Sequence, residues 1–261
     1  MEKIHVRWRT NDKGLPPRPI KLRIPGWSGH DTNHDDGAVP QPWHCPPFVD
    51  GSTYGLELLY PYDAECSVTV QNGELRIVGD FLSEMGPSVK DRPTGFAPNH
   101  YGFTSSLDLH VPDDMVVRVE PHPRYYTDST GTCPCAVPGH IHGAFWPQVF
   151  FVVFKAPWPG QVHVFRKGEP YAQILIVPRK VSYEVERMTP EQARQRETKS
   201  GIVSECGDRI ARHRWVDASG HRFNDKYKVL QSAFLKRGAE GVEDVIRKAV
   251  GAWLPDKLKR P

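Results

Sequence analysis

Short apolar runs punctuated by turn residues dominate the middle of the chain: Tyr54 to Tyr60, Cys66 to Val70, Glu74 to Val78, Leu107 to Val111, Met115 to Val119, Val149 to Phe154, Val162 to Phe165 and Tyr171 to Val177. Runs of this length, rich in Val, Phe and Tyr, predict strands. Gln71-Asn72-Gly73 separates two of them, and Asn-Gly between alternating residues predicts a two-residue hairpin, because both central positions need a positive φ. The run from Leu107 stops at Pro112, which has no N–H to give a ladder, and Pro112-Asp113-Asp114 predicts a second turn. Val149 to Phe154 carries no polar alternation. It is therefore expected to be covered on both faces and, with Ile174 to Val177, to supply central strands. Many short strands so punctuated predict a mainly β fold with a barrel or sandwich core, β-clip-like or cupin-like.

The pattern changes at Thr189. Thr189-Pro190-Glu191-Gln192 sets a capping hydroxyl, a proline at the first helical position and a glutamine at the third, which is a capping box. The helix that follows has only a thin apolar stripe of Ile202, Cys206 and Ile210. Asn224 is placed to cap a second helix carrying Tyr227, Leu230, Phe234 and Leu235, with Gly238 as its stop. Val242, Val245, Ile246, Ala249 and Trp253 mark a last helix. Ahead of the strands, residues 14 to 47 are rich in proline, glycine and acids, with Trp27 and Trp43 among them and Trp8 before them. Such a segment is expected to lie on the surface and to dock through its tryptophans. The division expected is an irregular lead-in over 1–50, a β core over 51–185 and a helical arm over 186–261.

Composition adjusts this picture in three ways. Twenty-five prolines and 22 glycines in 261 residues favour short strands between turns over packed helices. A net charge of +3 is spread along the chain with no basic stripe, so no nucleic-acid partner is expected. No run reaches the length of a membrane span and the start lacks an apolar export signal, so no membrane association and a cytoplasmic location are expected. Five cysteines without a regular framework then read as free thiols.

Two stretches concentrate groups capable of chemistry. Cys133-Pro134-Cys135 precedes His140-Ile141-His142, and two histidines two apart on a strand share a face. With the two thiols they make up a four-donor zinc set, or else a proline-rich loop entering a strand; iron or zinc is the cofactor expected if metal binds, with His140 and His142 as ligands. In the second stretch Arg118, Glu120, His122, Arg124, Tyr126 and Asp128 alternate with apolar residues and prolines. Extended throughout, the segment puts every polar member on one face, able to hold a carboxylate or phosphate, or else to face water at a sheet edge. His122 and His140 are the candidate proton carriers. Arg124, Tyr126, Asp128, His100 and Trp146 are the candidate ligand-binding residues. His100 lies in His100-Tyr101-Gly102-Phe103, a turn-rich aromatic setting shared by Trp43-His44-Cys45-Pro46-Pro47. No Gly-x-Ser-x-Gly elbow, phosphate-binding glycine loop or dinucleotide fingerprint is present in the sequence.

Across residues 43 to 250, the phrases PWHCPPFVDGSTYGLELLYPYD, NHYGFTSSLDLHVPDD, VEPHPRYYTDSTG and VFRKGEPYAQILIVPR resemble a family of uncharacterised bacterial proteins, which implies a shared fold and no particular activity. LDLHVPDDMVVRVEPHPR and GEPYAQILIVP are similar to the β-clip barrel of dUTPases and dCTP deaminases. That resemblance implies a nucleotide-binding barrel. It departs in the phosphate loop, where His122-Pro123-Arg124-Tyr125-Tyr126 stands instead of Arg-Ser-Ser, and carries over no catalytic carboxylate.

Two classes of function follow. One is a metal-assisted or acid/base enzyme acting on a small anionic molecule through the polar segment and the histidine pair. The other is a non-catalytic ligand-binding or assembly protein, self-associating through its C-terminal helices.

Overall fold

A computed structural model describes residues 3–10, 14–21, 46–79, 93–128, 130–216, 220 and 222–251. Backbone contacts divide the chain into two compact units, one of residues 1–25 and 50–182 and the other of residues 26–49 and 183–261. Trp27, Trp43, His44, Cys45 and Trp253 lie outside the described residues.

The first unit is mainly β. Its strands are β1 (Arg7–Thr10), β2 (Arg18–Pro19), β3 (Leu56–Leu59), β4 (Cys66–Gln71), β5 (Glu74–Val78), β6 (Thr94–Ala97) and β7 (His100–Thr104). They continue as β8 (Leu107–His110), β9 (Met115–Pro121), β10 (Gly139–Ile141), β11 (Phe151–Lys155), β12 (Val162–Phe165) and β13 (Pro170–Pro178). A short helix, α1 (Pro46–Ser52), precedes β3, and a single helical turn, α2 (Arg124–Thr127), follows β9. All pairing is antiparallel: a five-stranded sheet β10-β9-β13-β3-β2, two three-stranded sheets β11-β7-β6 and β12-β4-β5, and the pair β1-β8. The fold is thus mainly β, as the patterning predicts, with no closed barrel among the described strands.

The predicted hairpin at Asn72-Gly73 is β4-β5, with Gln71 opposite Glu74 and positive φ at both turn residues (52° and 80°). The core between the sheets is aromatic. Phe103 stacks on Phe154 at 5.4 Å and stands edge-on to Phe165 at 5.2 Å, while Tyr60, Tyr101 and Tyr171 close around them. Offset and edge-to-face rings add about 0.5–1.5 kcal/mol per pair to the burial itself.

Two expectations for the Val149 to Val177 stretch separate. β13 is central, between β9 and β3. β11 instead ends its sheet, and among the described residues its far side meets only the short segment around Ala136 through the Ala136–Phe154 bridge. Val152 and Phe154 point into the core, but Phe151 and Val153 are half-buried, so the apolar run is not covered on both faces. The reason is a hollow on that side, described below.

In the second unit, helices α3 (Pro190–Glu205), α4 (Gly207–Ile210) and α5 (Lys226–Gly251) flank the hairpin of β14 (Arg214–Val216) and β15 (Arg222–Asn224). The capping box is present in full: the Thr189 hydroxyl accepts from the Gln192 N–H at 3.2 Å, and the Gln192 side chain accepts from the Thr189 N–H at 2.9 Å. The thin stripe finds its partner within the unit, since Cys206 and Ile210 bury against Ile246 and Ala249. Gly238 stops the second helix as expected: Arg237 and Gly238 leave helical geometry, with a φ of 61° at Gly238, so α5 is two helices that meet at a kink. Phe234 and Leu235, just before the break, are exposed.

Candidate ligand site

β9 ends at Pro121, which corrects the expectation of an extended face from Arg118 to Asp128. Pro123 holds a helical φ of −54°, and its missing N–H costs nothing in a first turn, so the chain coils into α2. The N–H groups of Tyr125 and Tyr126 return to the carbonyls of His122 and Pro123 at 2.9 and 3.0 Å. The polar residues therefore disperse. Arg118 pairs with its neighbour Glu120. Arg124 forks onto Glu169 Oε2 at 3.1 Å from both terminal nitrogens and donates to the Pro170 carbonyl.

His122 is sealed in the protein, and both ring nitrogens are engaged. Nδ1 accepts from the Arg124 N–H at 3.2 Å, which leaves the hydrogen on Nε2 to donate to Glu57 Oε2 at 3.3 Å. Arg18 reaches the other oxygen of Glu57 at 2.5 Å. Burial drives the His122 pKa below its ordinary value, against the pull of Glu57. Burial alone lifts that of Glu57, but the hydrogen bonds from His122 and Arg18 outweigh it and hold the carboxyl ionised. A ring with no free nitrogen is poorly placed to act on a ligand.

Asp128 braces the loop after α2. It accepts from the Thr130 N–H (3.0 Å) and hydroxyl (2.6 Å) and from the Cys133 N–H (2.7 Å). Burial raises its pKa less than these donors lower it.

The two cysteines and the two histidines go to different places. His140 stands on β10 opposite Arg118 and, with His100, lines an apolar hollow of about 340 Å³ between Phe96, Val119 and Phe151. The sequence nominated both histidines without linking them. His100 Nδ1 donates to the Pro98 carbonyl at 2.8 Å. The His142 ring stacks on Phe145 at 5.4 Å, and Trp146 is exposed in the same turn. Among the described residues no three or more His, Cys, Asp or Glu side chains are grouped to hold a metal ion, so the four-donor set of Cys133, Cys135, His140 and His142 is not assembled.

A second hollow of about 340 Å³ collects different chemistry. It is lined by Tyr125 and Tyr126 from α2, Asp128, Cys133 and Cys135, Lys155 at the end of β11, Trp158, and His163 on β12. The Lys155 ammonium sits 4.6 Å over the Trp158 ring, a cation–π contact. Tyr125 and Tyr126 meet edge-on at 5.4 Å. His163 shares one hydrogen with the Tyr101 hydroxyl, 2.8 Å from Nδ1, and burial pushes its pKa down to about 4. Lys155, Trp158 and His163 were missed in the sequence. Trp158 between Pro157 and Pro159-Gly160 was the available signal, a large ring set on a turn rather than in an apolar run.

No family model matches the chain. It is similar to kynureninase 1 of Emericella nidulans, 30% identical over 146 residues, which are 45% of this chain and 28% of that protein; the chain thus spans well under a third of that relative. Solved structures that it is similar to include the native dUTPase of EIAV, with 9% identity, 71% of this chain and 98% of the other covered and a TM-score of 0.34. The dUTPase from phage phi11 of S. aureus gives 10%, 70%, 96% and 0.36 in the same order. Among the described residues no helix is long and apolar enough to cross a membrane.

Proposed function

We propose that the β unit binds a small planar anion in the hollow between Trp158 and the Tyr125–Tyr126 pair. The observation that carries this reading is the Lys155 ammonium lying on the Trp158 ring inside a hollow edged by further aromatic rings. Ring faces take up a flat group, and a cation beside them takes up a carboxylate or phosphate. The volume is at the lower end of the range for small-molecule sites. Mononucleotides and aromatic carboxylates both meet this description. Arg124, the anion holder expected from the sequence, is committed to Glu169, which moves that role to Lys155.

The test is a titration of the full chain with nucleoside monophosphates and aromatic carboxylates, followed by tryptophan fluorescence. Binding that is lost in W158A, and weakened in K155A for anions more than for the matching neutral nucleosides, supports the reading. Equal affinity in wild type and both variants overturns it.

Acid/base catalysis on the same ligand is the second reading, favoured by His163. Its ring is neutral at pH 7 and lines the hollow. A variant H163Q that still binds but no longer turns over a ligand identified in the titration separates catalysis from binding.

A further inference from the structure

Cys133 and Cys135 occupy alternate positions of a chain segment pinned at several points. The Cys133 N–H is held by Asp128 Oδ2 at 2.7 Å, and the Thr132 carbonyl accepts from the Val164 N–H at 3.0 Å. The Cys135 carbonyl accepts from the Lys155 N–H at 3.1 Å, and the Val137 N–H donates to the Val153 carbonyl at 2.8 Å. Pro134 fixes φ between the two cysteines. Both cysteines border the same hollow. Both are free thiols, Cys133 buried and Cys135 half-buried.

We propose that these two thiols form a two-coordinate site for a soft monovalent cation of the Cu(I) type. Three geometric points favour this over other uses. Residues two apart lie at most about 7 Å from each other at Cα, which puts both side chains within reach of one ion. Two metal–sulfur bonds of about 2.3 Å in line set the sulfurs about 4.6 Å apart, a span open to thiols on residues two apart. Zinc needs four donors, and the nearby histidine pair is turned elsewhere, His140 into the other hollow and His142 onto Phe145.

The reaction balances as two thiols plus Cu(I) giving a bis-thiolate complex of charge −1 and two released protons. Lys155 borders the same hollow and supplies a neighbouring positive charge for that complex. Burial keeps both thiols protonated at neutral pH, Cys133 up to about 12, so the pair waits as a neutral dithiol rather than as a nucleophile. Soft thiolates select Cu(I) over harder divalent ions, and closure of the ligand set at two matches what is within reach. The site does not depend on the planar-anion reading.

The experiment is an anaerobic titration of the reduced full-length protein with Cu(I) in competition with a chromophoric Cu(I) chelator. The expected result is one equivalent withdrawn by the wild type. C135S should weaken that withdrawal by at least about 100-fold, more than loss of an outer-shell partner costs. C133S should do the same, with its circular dichroism compared to show that it folds; the half-buried Cys135 keeps the test independent of that outcome. C206S, which alters a cysteine in the other unit, should withdraw the same equivalent as wild type. No withdrawal by the wild type, or undiminished withdrawal by C135S, overturns the proposal. Binding lost in C135S but kept in W158A separates this site from the planar-anion site.

Discussion

Nε2 of His122 donates to Oε2 of Glu57 across 3.3 Å, and neither side chain is reached by solvent. The contact joins β3 to the residue just past β9, and Arg18 extends it to β2. Removing one member of such a set leaves a buried polar group unmatched. H122A is expected to lower stability by about 2–4 kcal/mol in chemical denaturation. H122Q, which keeps a donor near the Nε2 position, should recover part of the loss. Ligand binding in the Trp158 hollow should survive in both, which distinguishes a structural histidine from a proton carrier.

His163 makes the fold sensitive to acid. Its pKa of about 4 in the folded chain lies below the ordinary value of 6.5, so the unfolded chain takes up the proton first as pH falls. The stabilisation is complete above about pH 6.5 and is lost toward pH 4, amounting to about 3 kcal/mol. His122, lowered as well, acts in the same direction, and Glu57 joins only below its ordinary carboxyl range. Denaturation curves at pH 7 and pH 4.5 should show the loss in wild type and a smaller loss in H163Q. An identical slope in the two proteins would count against it.

Gly143 and Gly102 are required by close approach rather than by φ. A methyl group on Gly143 would stand 2.0 Å from the Leu109 carbonyl oxygen, and one on Gly102 would stand 2.4 Å from both the Val152 carbonyl and the Phe151 ring. G143A and G102A should each cost more than about 2 kcal/mol in melting experiments. Gly139 faces open space, and G139A should stay within about 0.5 kcal/mol of wild type.

In the helical unit the capping box gives an isolated prediction. T189A removes the acceptor for the Gln192 N–H and should cost that unit about 1 kcal/mol, read as lower helicity on heating by circular dichroism.

Arg124 tests the reassignment of the anion-binding role. Its fork to Glu169 is partly exposed, so R124A should cost only about 1 kcal/mol. Anion affinity at the Trp158 hollow should fall far less than in K155A. An R124A loss as large as that of K155A would return the role to Arg124.

What the sequence made legible was local. The Asn72-Gly73 turn, the stop at Pro112 and the box at Thr189 each need only neighbours along the chain, and each appears where expected. Strands β6 and β7 escaped because glycine, proline and histidine dilute their apolar signal. The burial of His122 was hidden because its partner, Glu57, lies 65 residues away. Separation of the cysteine pair from His140 was equally hidden, since proximity in sequence says nothing of which hollow a residue lines. Phe151 and Val153 show the same limit, as half-burial on a hollow leaves the same apolar letters as burial in a core.

The segment from Cys133 to Ile141 walls both hollows, the Trp158 hollow with its cysteines and the apolar hollow with residues from Val137 onward, and it is fastened to β11 between them. One residue inserted between Cys135 and Val137 would turn every later side chain to the opposite face, taking His140 out of its hollow while leaving the cysteines in theirs. Changes of chain length in this strap are therefore tolerable only before Cys133, in the loop that Asp128 braces, or after Ile141. Between those limits the two hollows can diverge in side chains but not in spacing.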